Sequence, residues 1–308
     1  PELSIYVRDV GQKLARVSDR PDLPYEFVVL NNSVPNAWAL PGGKIAINRG
    51  LLVELEDEAQ LASVLGHEIV HAAARHSVQR MQQGMLISAG VAGLGFALSD
   101  NEWAGLIMGG AALGAQLALA QYSQGDELES DAYGIRYMKE AGYDPQAAVE
   151  LQQLFLKLSE GRQSGWLDGL FATHPPSAKR VQENQELVQK IGAGGYRGRD
   201  VYQRRIAKLK ELQPAYDAHD EAMKLASEGK YEAALDQVNK AIKLEPREAM
   251  FFALRGRIYR GMEQPGKAKA DFDKAVSLYP EMFQYQLYSG LNELELNNLG
   301  KAKSHLEK

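Results

Sequence analysis

The strongest chemical signal in the sequence is a histidine pair with a glutamate beside it, His67-Glu68-Ile69-Val70-His71. The histidines are four positions apart, so on a helix both imidazoles lie on one face and can bind the same metal ion. Glu68 is placed to take a proton from a water that the metal activates. The pattern predicts a hydrolytic zinc centre. The simpler interpretation is two core histidines beside a capping glutamate.

A catalytic zinc site also needs a third protein ligand and an open position for water. His76 lies five residues beyond His71 and largely off the ligand face, so we look for a carboxylate on another helix. The densest acidic cluster near a helix start is 126–131, Asp-Glu-Leu-Glu-Ser-Asp. In it Glu127 and Asp131 share a helix face, and one could bind zinc while the other orients a ligand histidine. Acidic helix starts are also common for dipole reasons, so the spacing leaves the ligand open.

The elements that must position these residues are mostly helical. Amphipathic and capping patterns predict helices up to about residue 18, from 57 through 74 and beyond, and over 126–140 and 145–160. Short strands are predicted at Tyr25–Leu30 and Lys44–Asn48. The sequence therefore predicts a mainly α protein with a small β-sheet.

The second predicted strand, Lys44-Ile45-Ala46-Ile47-Asn48, alternates polar and apolar residues. A strand edge beside a metal can pair with an extended peptide and align its scissile carbonyl. We therefore expect this strand to be a substrate-binding edge. An ordinary strand inside the sheet is the alternative.

Beyond residue 195 the chain repeats itself with a period of 34 residues. Pairs at that offset are Ala241 and Ala275, Pro246 and Pro280, and Gly256 and Gly290. Such a period, with small residues at fixed places, is typical of the tetratricopeptide repeat, a helical hairpin. About two and a half repeats are visible. With the glycine-rich stretch 192–198 as a linker, we predict one domain over residues 1–195 and a repeat domain over 196–308.

Composition narrows the function classes. The chain has 308 residues, a net charge of -5 and no cysteine, which excludes thiolate zinc sites and cysteine nucleophiles. Neither half is strongly basic, so we expect no nucleic-acid binding. The glycine-rich, apolar segment 84–120 is interpreted as a membrane-dipping or gating element or, alternatively, as a plain buried hairpin. A start at Pro1 is compatible with removal of an upstream signal segment.

Four stretches in this order resemble one known family: Asn36-Ala37-Trp38-Ala39-Leu40-Pro41-Gly42-Gly43, residues 65–71, residues 127–132, and Thr173-His174-Pro175-Pro176. They are similar to the zinc metallopeptidases of the CAAX prenyl protease, HtpX and BepA, of which the BepA-like branch carries C-terminal tetratricopeptide repeats. The resemblance implies a zincin-type metallopeptidase domain with one zinc ion per chain. It also implies Glu127 as third ligand and Asp131 as the partner of a ligand histidine.

The resemblance gives His174 a role as well. It implies a fourth zinc ligand that displaces water and holds the enzyme off. An oxyanion-stabilising residue and a structural loop histidine are the alternatives. The prolines after His174 would stiffen its loop. Arg180 would support either functional role, or else be a surface arginine.

On this resemblance we expect a zinc endopeptidase that cleaves misfolded envelope proteins in the bacterial periplasm, near the outer membrane. Glu68 would take a proton from water and pass it to the leaving amine. The repeats would recruit protein substrates or outer-membrane assembly partners, and segment 84–120 would make peripheral membrane contact. The alternative is a repeat-based adaptor or chaperone with a repressed or structural zinc site.

Overall fold

A computed structural model describes residues 2–76, 78–80, 82, 122–160 and 167–307. The chain packs into two compact units, residues 1–207 and 208–308. The predicted mainly helical fold with a small sheet, followed by helical repeats, is confirmed. The domain boundary near residue 195 stays a prediction.

The first unit combines helices with three short strands. In chain order its elements are α1 (Glu2–Ala15), β1 (Glu26–Leu30), β2 (Ala37–Leu40), β3 (Lys44–Asn48), α2 (Arg49–Leu52), α3 (Glu58–Ala73), α4 (Gln124–Glu140), α5 (Gln146–Glu160), α6 (Asp168–Thr173) and α7 (Ala178–Ile191). Helix α8 follows at Arg199–Ser227.

The sheet has the strand order β1-β3-β2, with β3 parallel to β1 and antiparallel to β2. This corrects the expectation that Lys44–Asn48 is a substrate-binding edge, because that strand is paired on both sides. The sequence of β3 suits the middle position of the sheet, because Ile45 and Ile47 are buried as in a sheet that packs on a core. Strand β2 was not predicted, since Ala-Trp-Ala-Leu is short and has no β-branched residue.

Helix α3, which carries the histidine pair, has a well-defined start. Asp57 is its N-cap, and its side chain accepts a hydrogen bond from the backbone N–H of Gln60 at 2.9 Å. Arg197 forms an ion pair with the buried Asp57 carboxylate at 2.7 Å. The helix start is therefore attached to the chain that precedes α8.

The second unit is built from helical hairpins, as the 34-residue period predicts. After α8 come α9 (Tyr231–Leu244), α10 (Ala249–Gly261), α11 (Pro265–Leu278), α12 (Phe283–Glu295) and α13 (Leu299–Leu306). The small residues of the repeat are fully buried at Ala234, Ala241, Ala268, Ala275 and Ala302. A Cβ on Gly256 would lie 2.6 Å from the ring of Phe272, so only glycine allows this approach of α10 and α11.

Within the described residues, no helix is long and apolar enough to cross a membrane. Segment 84–120, for which a membrane or gating role or a buried hairpin was predicted, lies outside the described residues.

Candidate metal centre

Two glycines bring the helices of the candidate site together. A Cβ on Gly66 of α3 would lie 3.2 Å from the carbonyl oxygen of Gly134, and a Cβ on Gly134 of α4 would lie 3.0 Å from the backbone nitrogen of His67. The two helices therefore cross with their backbones nearly in contact. This crossing places the histidines of α3 beside the acidic start of α4.

The side chains of His67, His71 and Glu127 converge at the crossing. The Nε2 atoms of the two histidines are 2.9 Å apart. Glu127 Oε1 lies 3.2 Å from His71 Nε2, and Glu127 Oε2 lies 3.5 Å from His67 Nε2. Donor atoms bound to one tetrahedral zinc at roughly 2.0–2.2 Å are separated by about 3.4 Å, so these spacings fit a shared ion.

The acidic neighbours of Glu127 are used differently. Asp126 forms a capping box with Ser123 at the start of α4. Glu129 has a half-exposed side chain and lies 3.6 Å from His76 Nε2. Glu127, in contrast, is fully buried and faces the histidines. Of the three acids near this helix start, Glu127 is therefore the one that the structure offers as a ligand.

Asp131 orients His67. His67 Nδ1 donates a hydrogen bond to Asp131 Oδ1 at 2.8 Å, which orients Nε2 towards the centre. Arg180 binds the same carboxylate in a bidentate manner, with Nε 2.7 Å from Oδ2 and Nη2 2.7 Å from Oδ1. Asn184 Nδ2 adds a longer contact to Oδ2, at 3.4 Å. Although burial opposes ionisation, Arg180 and His67 lower the pKa of Asp131 to about 2.

Arg180 extends this network beyond Asp131. Its Nη1 lies 2.7 Å from Glu127 Oε2 and also donates to the backbone oxygen of Pro175 at 3.2 Å. One buried guanidinium thus fixes the candidate ligand Glu127 and the loop that carries His174. The predicted supporting role of Arg180 agrees with these contacts, and the surface-arginine interpretation is wrong because the residue is buried.

His71 has a different partner. Its Nδ1 lies 2.9 Å from Nδ1 of His76, a residue that our spacing argument set aside. That argument assumed a continuous helix, whereas α3 ends at Ala73 and Arg75 has a φ of 61°, which turns the chain back. The ring of Tyr122 stacks on His71 with the centroids 3.8 Å apart. Together, His76 and Tyr122 hold the second imidazole in place.

His174 also reaches the centre. It is buried at the end of α6, and its Nδ1 donates a hydrogen bond to Glu127 Oε1 at 3.0 Å. Its Nε2 lies 3.5 Å from Glu68 Oε1. His67, His71, Glu127 and His174 each offer one donor atom, and these four atoms lie within 4.8 Å of one another.

Glu68 stands next to this donor set without belonging to it. Its carboxylate is buried, receives a backbone hydrogen bond from Ala39 of β2, and has one oxygen, Oε2, with no hydrogen-bond partner among the described residues. Burial raises the pKa of Glu68 above its ordinary range, although His174 and His67 oppose the shift. The group is therefore suited to accept a proton.

The electrostatics of the cluster favour a cation at its centre. Burial disfavours protonation of His67, yet the carboxylates of Glu127 and Asp131 outweigh it and raise the pKa of His67 to about 10. Burial together with the charges of His67 and His174 holds the pKa of His71 well below its usual range. One positive charge is thus favoured between the two imidazoles. The donor set of two imidazoles and a carboxylate fits a metal ion there.

The structure therefore brings together the predicted residues His67, Glu68, His71, Glu127, Asp131 and His174, although their roles remain predictions. Sequence reasoning missed His76, Tyr122 and Asn184. The only available signal was the short spacing of His76 from His71. Tyr122 and Asn184 are ordinary residues in the sequence, and their contacts depend on how α4 and α7 pack.

Comparison with known proteins agrees with this site. The family model for peptidase family M48 matches residues 1–188, and a tetratricopeptide repeat model matches residues 251–282. The first match includes all the candidate site residues: the metal-ligand candidates His67, His71 and Glu127, and also Glu68, Asp131, His174 and Arg180.

Three curated relatives are similar to the first part of the chain. The beta-barrel assembly-enhancing protease of Yersinia pestis is 30% identical over 199 residues, which cover 62% of this chain and 40% of that protein. The mitochondrial metalloendopeptidase OMA1 of Schizosaccharomyces pombe is 34% identical over 187 residues, covering 60% of this chain and 53% of that protein. The metalloprotease LoiP of Escherichia coli is 30% identical over 175 residues, covering 55% and 65%.

In each case the chain spans less than two thirds of the relative's length. The family match covers more than half of this chain and confirms both the predicted resemblance and the metallopeptidase class. The buried cluster of two histidines, a glutamate on a second helix and an adjacent acid agrees with that class. The chain belongs to peptidase family M48.

Proposed function

We propose that this protein is a zinc-dependent endopeptidase. The observation that carries the proposal is the convergence of His67 Nε2, His71 Nε2 and the Glu127 carboxylate, with Glu68 beside them. The family match supports a metal-dependent hydrolase. Zinc is the proposed metal because two imidazoles and one carboxylate, with no thiolate, are typical of catalytic zinc sites.

His67, His71 and Glu127 would hold the ion. When bound, zinc supplies Lewis acidity, which polarises the scissile carbonyl and makes water a better nucleophile. The Glu68 carboxylate accepts a proton from the attacking water and then gives it to the leaving amine. Burial raises the pKa of Glu68, which makes its carboxylate a better proton acceptor than an exposed glutamate.

The substrate would lie along β2. This strand is at the edge of the sheet, Ala37 lines the same cavity as His67 and Glu68, and Ala39 bonds to Glu68 through its backbone. A peptide paired with a strand in this position has its carbonyls beside the general base. Strand β2 therefore replaces Lys44–Asn48 as the proposed substrate-binding strand.

His174 is proposed to repress the resting enzyme. As a fourth donor beside His67, His71 and Glu127, it would take the coordination position that water needs in a working hydrolytic site. The same observation favours the second candidate function, in which the protein acts as an adaptor or chaperone through its repeats and hydrolysis stays repressed. Glu68 argues against that candidate, because a purely structural site has no use for a general base.

The wider role follows from the relatives and from the repeats. One relative is named a beta-barrel assembly-enhancing protease, and tetratricopeptide hairpins commonly bind protein segments. We therefore propose misfolded envelope proteins as substrates, the periplasm as the compartment, and outer-membrane assembly proteins as partners of the repeats.

The test combines metal content with casein cleavage for the unmodified protein, Glu68→Gln and His174→Ala. We expect one bound zinc per chain, cleavage abolished by Glu68→Gln and cleavage raised by His174→Ala. Loss of cleavage in both variants would make His174 catalytic instead of repressive. Stoichiometric zinc with no cleavage from any form would support the adaptor, and a protein that binds no zinc would overturn the proposal.

A further inference from the structure

A small cavity lies directly beside the candidate metal centre. Its volume is about 40 Å³, and its walls include Glu68 and His174. Apolar side chains supply part of the remaining lining, from Leu51, Val64, Leu151, Phe155 and Leu170, and the other polar residues that line it include Ser63, His67, Asp131 and Arg180. At about 10–15 Å³ per water, this space holds roughly three water molecules or one small side chain.

One polar group in this cavity is not used by the proposed reaction. Gln152 of α5 lines the cavity, and its Oε1 is buried with no hydrogen-bond partner among the described residues. Buried acceptors without partners are rare in native proteins because they lose their hydration without compensation. The amide oxygen of Gln152, in the same cavity as the proposed general base Glu68, is therefore placed to bind a group that enters the cavity.

We propose that Gln152 is a specificity-determining residue that selects a small hydroxyl side chain, serine or threonine, next to the scissile bond. The inference rests on the proposed peptidase function, because it assumes a substrate along β2. Side chains of an extended peptide stand perpendicular to its backbone, so one of them enters the cavity while the backbone pairs with the strand.

The size and chemistry of the cavity select the hydroxyl. Larger amide side chains exceed its volume. A hydroxyl is both donor and acceptor, so it satisfies the Gln152 amide in either orientation of its oxygen and nitrogen. Valine has the shape of threonine but leaves the amide unpaired. Sites built around such a hydrogen bond reject the analogue that lacks it.

The experiment uses two sets of three peptides, which have threonine, valine or alanine at the residue before the scissile bond in one set and at the residue after it in the other. For the unmodified protein we expect kcat/KM for threonine to exceed that for valine at least 10-fold at one of the two positions. In Gln152→Met the ratio should fall to about one. Gln152→Glu keeps an acceptor and should keep the preference.

Gln153→Leu is the matched control, since Gln153 is the next residue of α5 and is exposed. It should leave the ratio unchanged. An unmodified protein that cleaves the threonine and valine peptides equally would overturn the inference. So would a threonine preference that survives in Gln152→Met.

Binding separates this inference from the proposed function. Fluorescence anisotropy with zinc-loaded Glu68→Gln measures the affinity for the same peptides without cleavage. If the unmodified protein cleaves nothing, the peptidase proposal fails. The subsite is still supported if the threonine peptide binds more tightly than the valine peptide and this difference is lost when Gln152→Met is added. Equal binding of both peptides contradicts the subsite even if cleavage is efficient.

Discussion

Two arginine–aspartate pairs of nearly identical geometry serve different purposes in the two units. In the peptidase unit, Arg180 Nε and Nη2 donate to the two oxygens of Asp131, each at 2.7 Å. In the repeat unit, Arg255 Nε and Nη2 donate to Asp271 at 2.8 and 2.7 Å. Both arginines have a further contact through Nη1, to Glu127 in the first unit and to Asn239 in the second.

The surroundings make the difference. The Arg180 side chain is 3% exposed and its partners are candidate metal-centre residues, whereas Arg255 is 23% exposed and links the helices α9, α10 and α11. The first pair orients His67 and Glu127, and the second joins neighbouring hairpins. The same type of ion pair therefore holds candidate metal ligands in one unit and neighbouring helices in the other, because its other contacts differ. Substitutions in the two units should separate these effects.

The largest effect is expected from Glu68→Gln. The amide cannot accept a proton, so casein cleavage should fall about 10³-fold, within the range for loss of a general base. Zinc content and the melting temperature should change little, because the amide has nearly the same shape. Cleavage within 10-fold of the unmodified rate would show that Glu68 is not the base. No single substitution in the repeat unit should reproduce this loss.

Arg180→Met and Arg255→Met test the comparison directly. We expect Arg180→Met to weaken zinc binding by about 10–100-fold, since groups that orient ligands have effects of this size. It should also destabilise the unit by about 3–5 kcal/mol, because Asp131 remains buried without its partner.

Arg255→Met should leave zinc binding unchanged and destabilise the protein less, because its ion pair is partly in water. Zinc affinity from chelator competition and urea unfolding measure both quantities. Equal zinc affinities for the two variants would show that the Arg180–Asp131 pair supports the metal centre no more than the Arg255–Asp271 pair does.

A second matched pair concerns the helix crossings. Gly134→Ala and Gly256→Ala each add a methyl group into a close contact, so each should cost about 1–3 kcal/mol of unfolding free energy. Only Gly134→Ala should also weaken zinc binding, because the methyl group meets the backbone of His67. Thermal unfolding with and without zinc measures both effects. A loss of zinc affinity in Gly256→Ala would contradict the assignment.

The smallest effect is the pH dependence of the Asp131 interaction. Its pKa is lowered to about 2 in the folded protein, against about 3.9 when unfolded. A lowered pKa stabilises the folded state above the unfolded value, and that stability is lost as pH falls towards 2. The difference in unfolding free energy between the unmodified protein and Asp131→Asn should therefore be largest above pH 4 and shrink towards pH 2. A constant difference over that range, measured by urea unfolding, would contradict this prediction.

Much of the fold and site was predictable because the signals are local and periodic. Helix α1, the bounds of α4 and α5 to within two residues, the whole of β3 and the 34-residue repeat follow from patterns in the local sequence. The histidine pair is equally local, since four positions on a helix define one face. Strand β2 lacked such a signal, and the position of β3 at the centre of the sheet depends on pairing that no single strand encodes.

The sequence by itself determined which residues have the chemistry to bind a metal and move a proton, because residue types and helical spacing are properties of the local chain. Only the tertiary structure decided which other residues contact and orient these site residues. The turn at Arg75 returns His76 to His71, and the packing of α7 buries Arg180 against Asp131 and Glu127. The contacts of Arg180 join segments about 50 residues apart, and they depend on burial and helix crossing, which local patterns do not specify.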